Sequence, residues 1–363
     1  MKKKILLLGF SSALLSPLAS ANNQFQVFTH FDAEIYTEAQ PVQAFVDDFD
    51  APLTSGDSAF TYNIFEVGVG YGNFKVGLQS RFDYVLNFDP DTAKYTHIEK
   101  NDLAFEDRYY TYYLDAKQAT SNGIFASYDF KFLDKNALTI TPKLSIFAST
   151  HFQDGIVDGR IYSDEVEGDI SVDYNYSKDI LFKKFTPSEN PEGLGYSLDI
   201  FANWQVNDEL HVGFSVKDLI YKTDYEDSGF VNGQTTEIPF SQTDNGDIIT
   251  QPTVSLKTSS FGNTQSHDFD MKMRMQAFAD YRINDRFSTQ LTLKRYDQDT
   301  FSQLKGRVHF WDHWKVQAGY ETKSKAYLVG IESEYFGLNL QTDSLDLDKA
   351  YYANINWYMN IKF

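Results

Sequence analysis

From Tyr351 to Phe363 the chain alternates, with Tyr351, Ala353, Ile355, Trp357, Met359, Ile361 and Phe363 on one face and Tyr352, Asn354, Asn356, Tyr358, Asn360 and Lys362 on the other. A period of two belongs to an extended strand, and here one face suits hydrocarbon while the other suits water. The same alternation recurs along the chain. Phe25, Val27, Thr29, Phe31, Ala33 and Ile35 alternate with Gln26, Phe28, His30, Asp32 and Glu34. Phe65, Val67 and Val69 lead to a tight turn at Gly72-Asn73, after which Phe74, Val76, Leu78, Phe82, Tyr84 and Leu86 alternate with Lys75, Gln79, Arg81 and Asp83. Even positions from Tyr110 to Phe132 keep one parity, which predicts one long strand over 107 to 132 that outruns the 9–11 residues a membrane strand needs. The return strand carries Leu138, Ile140, Leu144 and Ile146 through Pro142, which removes a ladder donor. Further on, Leu198 to Val206, Val212 to Val216 and Met271 to Ile283 alternate in the same way, with Met271, Met273, Met275, Ala277, Ala279 and Tyr281 on one face. Shorter strands are centred on Val308, Val316, Val329 and Leu338.

Short turns at 72–73, 134–136, 207–208, 284–285, 312–313 and 336–337 alternate with longer, more acidic loops at 37–60, 88–106 and 221–266. One-sided strands with this turn asymmetry predict an all-β fold, an antiparallel up-and-down transmembrane β-barrel with short periplasmic turns and long extracellular loops. Counting back from the last strand gives about 14 strands, or about 16 if the Ile170–Tyr176 pattern within 151–193 belongs to a membrane hairpin rather than an extracellular one.

The amino-terminal end reads as a secretory signal peptide over 1–21. Lys2, Lys3 and Lys4 precede an apolar stretch from Ile5 to Leu15, and Ala19-Ser20-Ala21 supplies small residues for cleavage. The remaining residues, 22–363, are expected to form a single barrel, with a strand starting too near the cleavage point for a plug domain. No later stretch has the roughly 18 apolar residues of a membrane helix.

The terminal strand resembles the carboxy-terminal assembly signal of Gram-negative outer-membrane β-barrel proteins, a final aromatic preceded by apolar residues at every second position: Trp357, Met359, Ile361 and Phe363. The resemblance implies recognition by the barrel-assembly machinery and residence in the outer membrane, among its lipid and lipopolysaccharide. A second stretch, Gly195 to Ile200, Trp204 to Leu210 and Gly213 to Leu219, resembles a hairpin common among barrels related to fatty-acid transporters and to TraF-like and PorV-like exported proteins. That resemblance transfers no substrate, and a fatty-acid transporter is expected to carry a longer plug before its first strand.

Composition agrees with a barrel. The chain has 24 Tyr and 31 Phe yet a mean hydropathy of −0.42, as expected where aromatic girdles and a lipid-facing band are offset by polar lumen and loops. It lacks Cys, which removes disulfides and thiolate metal sites. The formal charge of −19 argues against nucleic acid as a partner. If the polar faces line a lumen, then Arg81, Lys272, Arg274, Arg282, Lys294, Arg307 and Lys315 point inward, mixed with Asp83, Asp199, Asp280 and Glu321. Such a set either selects anions or forms ion pairs that stiffen the wall. Loop carboxylates at Asp47-Asp48-Phe49-Asp50 and Asp164-Glu165-Val166-Glu167 read as solvated charge rather than a Ca²⁺ or Mg²⁺ site.

Catalysis is not expected, and neither is a cofactor or metal. His211 and Ser215 share a strand face at about 13 Å, too far apart for a nucleophile and its base. His267-Asp268 and Asp312-His313 point to opposite faces if extended. The reading is therefore a porin-like outer-membrane channel or passive transporter for small solutes. The alternative is a structural or partner-binding barrel with an occluded lumen, serving surface assembly or adhesion.

Overall fold

The computed structural model describes residues 25–133, 135, 137–162, 167–178, 191–242, 248–258, 264–310 and 314–363. The expected signal peptide, the turn at 312–313, most of the turn at 134–136 and Asp164, Glu165 and Val166 of the acidic run lie outside the described residues.

Every strand pairs antiparallel with its neighbours. The segments in chain order are β1 (Phe25–Thr37), β2 (Ser58–Tyr71), β3 (Phe74–Phe88), β4 (Tyr109–Tyr128), β5 (Phe130–Phe132), β6 (Leu138–Tyr162), β7 (Glu167–Tyr176), β8 (Gly193–Gln205) and β9 (Leu210–Gln242). They continue with β10 (Ile248–Thr258), β11 (Gln265–Phe269), β12 (Arg274–Arg282), β13 (Phe287–Tyr296), β14 (Asp299–Phe310), β15 (Trp314–Glu321), β16 (Tyr327–Glu332), β17 (Phe336–Thr342) and β18 (Tyr352–Lys362). Several of these share one stave of the wall. β5 continues β4, β7 stands above β8 between β6 and β9, and β10 and β11 stand above β12 along β9. Fourteen staves therefore surround the lumen, and β1 closes the ring on β18 in register from Gln26 opposite Lys362 to Tyr36 opposite Tyr352. Closure leaves the ring of staves without an edge, which is what a β-structure needs in hydrocarbon.

Outward positions form an apolar belt. Val67, Val69, Phe74, Val76, Leu78, Ile124, Leu144, Ile146, Phe214, Leu291, Leu293, Leu304, Val329 and Ile355 are all exposed large hydrophobics on the outer face. A water-soluble sheet would bury this face, so the belt marks a transmembrane barrel.

Three sequence expectations are corrected. The stretch 221–266 is not a loop but largely strand, since β9 runs to Gln242 and β10 returns beside it. Beyond the membrane both faces of a hairpin meet water, so the apolar alternation fades while the ladder continues. Met271 does not share the outer face of Met273. It is buried inside the barrel beside Phe269, because residues 270–273 fall between β11 and β12, outside any strand, and parity is lost there. The turn expected at 336–337 lies earlier, where the Ser333 hydroxyl accepts from the Tyr335 and Phe336 amides at 3.2 and 3.0 Å.

Two helices occupy stretches read as loops: α1 (Val42–Val46) between β1 and β2, and α2 (Pro90–Lys100) between β3 and β4. The Asp89 side chain caps α2 by accepting from the Asp91 amide at 2.9 Å, with Pro90 in the first turn. Asp followed by Pro is a helix-start signal legible in the sequence.

Candidate functional site

Inward side chains fill the barrel in two layers. Nearer the long-loop end is an aromatic layer in which Tyr36 meets Phe301 edge-on at 5.1 Å and Phe60 at 5.5 Å, with Tyr352 and Phe152 also buried in it. Alternation on opposed strands delivers these rings inward, and their bulk meets in the middle.

Beneath lies an ionic layer in which some pairs join adjacent strands and others cross the lumen. Arg81 on β3 donates to Asp83 at 2.5 Å and, across the lumen, to Asp218 on β9 at 2.7 Å. Arg274 on β12 donates to the other Asp218 oxygen at 2.7 Å, and its guanidinium lies 4.1 Å from the centre of the Tyr62 ring. Lys294 on β13 reaches Glu34 on β1 at 2.9 Å, and the Tyr352 and Tyr296 hydroxyls donate to the same carboxylate at 2.6 and 2.8 Å. Lys143 bridges Glu66 and Asp199, and Asp199 in turn accepts from the Asp218 amide at 2.8 Å. A cavity of about 40 Å³ remains in this layer beside Asp32, Glu34, Lys217, Arg274 and Lys294.

Of the other basic residues picked out from the sequence, Lys272 sits between Asp115 and Asp297 at 3.6 and 3.5 Å. Arg307 pairs with Asp280 and donates to Gln317 at 3.1 Å, and Lys315 lies 3.0 Å from Glu332. Arg282 is exposed at the short-turn end, where its amide donates to the Glu209 carbonyl. The basic positions are thus not a one-signed ring, because most of them sit against carboxylates. Glu321 caps a turn by accepting from the Lys323 and Ser324 amides, both at 2.7 Å. Met359, Ile361 and Phe363 are exposed on the outer face of β18, with Trp357 half-buried in the same row. The Phe363 amide donates to the Phe25 carbonyl at 2.9 Å.

Asp218, Glu34, Glu66 and Lys143 were missed in the sequence. Parity through Val212, Phe214 and Val216 puts Asp218 on the lipid face, but it adopts φ 58 at a register shift in the β8–β9 pairing, which turns its carboxylate inward. A charge at a lipid-facing position is itself the signal for such a bulge.

At the mouth, Lys323 reaches both Glu38 at 2.7 Å and Asp299. Burial alone would lower the Lys323 pKa, yet the hydrogen bonds to Asp299 and Glu38 hold it above the usual lysine range. Among the described residues, no group of three or more His, Asp or Glu is placed to hold a metal ion.

No protein-family model matches the chain, and no curated relative matches it either. Similar solved structures include the Pseudomonas putida toluene transporter TodX, at 8% identity and TM-score 0.41 over 94% of this chain and 89% of that one. A Pseudomonas aeruginosa FadL homologue matches at 9% identity and TM-score 0.35, over 93% and 87% of the two chains. The translocator domain of the autotransporter NalP from Neisseria meningitidis matches at 10% identity and TM-score 0.32, over 95% and 90%. These are barrels of several functions, and the likeness passes no substrate to this chain.

Proposed function

We propose that this chain is a passive transporter for small solutes in a Gram-negative outer membrane, and that side chains crossing its lumen, rather than an open aqueous pore, set what passes. The observation that carries the reading is the bridge Arg81–Asp218–Arg274, in which Arg81 on β3 reaches across the lumen to Asp218 on β9 and Arg274 joins it from the neighbouring β12. Buried ion pairs stabilise a fold no better than well-packed apolar side chains of the same volume, so a purely structural barrel gains little from them. A route lined with paired charges can instead re-pair with a polar solute in transit. The barrier belongs to side chains on the wall and so can rearrange without a domain leaving the barrel. Insertion by the barrel-assembly machinery through Trp357, Met359, Ile361 and Phe363, and contact with lipopolysaccharide, belong to the same reading.

The alternative, a structural or partner-binding barrel, is favoured by the aromatic layer of Tyr36, Phe60, Phe301 and Tyr352 above the ion pairs. Planar-bilayer recordings on the refolded protein separate the two. A transporter gives low conductance that rises in Arg81→Gln and Arg274→Gln, with little selectivity by sign because the basic residues are matched by acids. Silence in the wild type and both variants, together with no solute-driven swelling of proteoliposomes, leaves the structural reading.

A further inference from the structure

The outer wall carries a second cavity, of about 710 Å³, whose lining is mostly outward residues but also includes Tyr36 and Phe60 of the aromatic layer. Its floor is the outward row Phe82, Tyr84, Leu86 and Phe88 of β3, continued by Leu114 on β4, and its roof is Phe45 of α1, Phe49 shortly after it, and Thr92, Ala93 and Thr96 of α2. This size lies within the roughly 300–1,000 Å³ typical of ligand sites. The roof is fastened in place. The Phe49 carbonyl accepts from Gln40 at 3.1 Å and from Asn101 at 3.0 Å, and the His97 Nδ1 lies 2.8 Å from it. The Thr92 hydroxyl and the Tyr113 backbone exchange hydrogen bonds at 3.0 and 2.8 Å. The Val42 amide of α1 donates to the Ala350 carbonyl at 2.7 Å.

The cavity's place on the wall decides what fills it. The β3 row runs from exposed Phe74, Val76 and Leu78, which face hydrocarbon, through Phe82 directly into the cavity floor. From Phe74 to Phe82 the strand covers about nine residues, the length that spans a membrane, so the floor starts where the apolar belt reaches the boundary on the long-loop side. Lys100 is the one charged group in the lining, at the end of α2.

We propose that this recess holds one acyl tail of a phosphate-bearing lipid of net negative charge from the adjoining leaflet, with its head against Lys100. The belt supplies the tail without its crossing water, the aromatic lining supplies the contact area, and Lys100 matches the charge of the head.

The chain has no Cys, so a single Val46→Cys at the exposed lip of the recess takes a fluorescent label cleanly. The full protein is refolded in vesicles carrying phosphatidylglycerol spin-labelled on the acyl chain, with labelled Leu345→Cys, almost fully exposed, as control. The expected result is quenching at position 46 that exceeds the control several-fold and exceeds that from spin-labelled phosphatidylcholine. It falls by at least half when Thr96→Phe fills the recess, and Lys100→Gln removes the headgroup preference. Heat-modifiable gel mobility checks that each variant still forms the barrel. Quenching no greater than the control overturns the proposal, as does quenching indifferent to Thr96→Phe or to headgroup. Displacement by free fatty acid with no phospholipid preference also overturns it, in favour of a site for a soluble ligand.

Discussion

Asp218 is the hub of the ionic layer. Its carboxylate is buried and satisfies two guanidiniums, those of Arg81 and Arg274, from two other strands. Removing one partner of a buried pair leaves the other charge unmatched, at a cost of about 3–5 kcal/mol. Asp218→Asn is therefore expected to lower the urea midpoint of the refolded protein by that order, and a loss below about 1 kcal/mol would show that water reaches the guanidiniums. The basic half of this cluster was legible, because Arg81 and Arg274 follow strand parity. The acidic half was not, since a left-handed residue in a bulge breaks the only rule that alternation provides. Glu34 and Glu66 obey parity, but nothing in a sequence says which stave faces which across a lumen.

At the scale of elements, β12 offers the cleanest contrast between the two faces of the wall. Ala277 lies on the outer row, whereas Gln276 lines the small ionic cavity. An Arg at Ala277 is expected to cost about 2–4 kcal/mol if that site is near the bilayer midplane, and Gln276→Glu much less. Equal urea midpoints for the two variants would place the register wrongly. The helix α2 carries a separate prediction. Arg108 donates to both Asp91 oxygens at 2.8 Å, and this hydrogen bonding holds the Asp91 carboxyl below its usual range. A depressed carboxylate lends stability that is complete above its unfolded pKa of about 3.9 and is lost as the pH falls through the lower folded value. Proteolysis at the α2 segment is thus expected to accelerate only below about pH 4 in the wild type. In Asp91→Asn it should already be raised at neutral pH and change little on acidification. Both helices escaped the reading by alternation because short segments among acidic, Pro-containing loops show no helical stripe; Asp89-Pro90 was the available clue.

On the scale of the whole molecule, one-sided strands and short turns were enough to give a closed barrel and its fourteen staves, because hydrocarbon on one side and water on the other enforce a period of two. The same physics explains what was lost beyond the membrane, where water on both sides enforces nothing, and β9 with β10 passed for a loop. The wall is consequently lopsided. β9 has 33 residues while β16 and β17 on the opposite side have 6 and 7. About 20 residues of β9 exceed what a membrane strand uses, which at roughly 3.3 Å per residue and about 40° of tilt raises one side by roughly 50 Å. A parapet of that height stands clear of the neighbouring headgroups, where antibodies, phage tail fibres and proteases meet a cell first. Shaving intact cells with a protease should clip the β9–β10 hairpin while the heat-modifiable barrel survives, and a hairpin cut only after the outer membrane is breached would place this parapet on the periplasmic side.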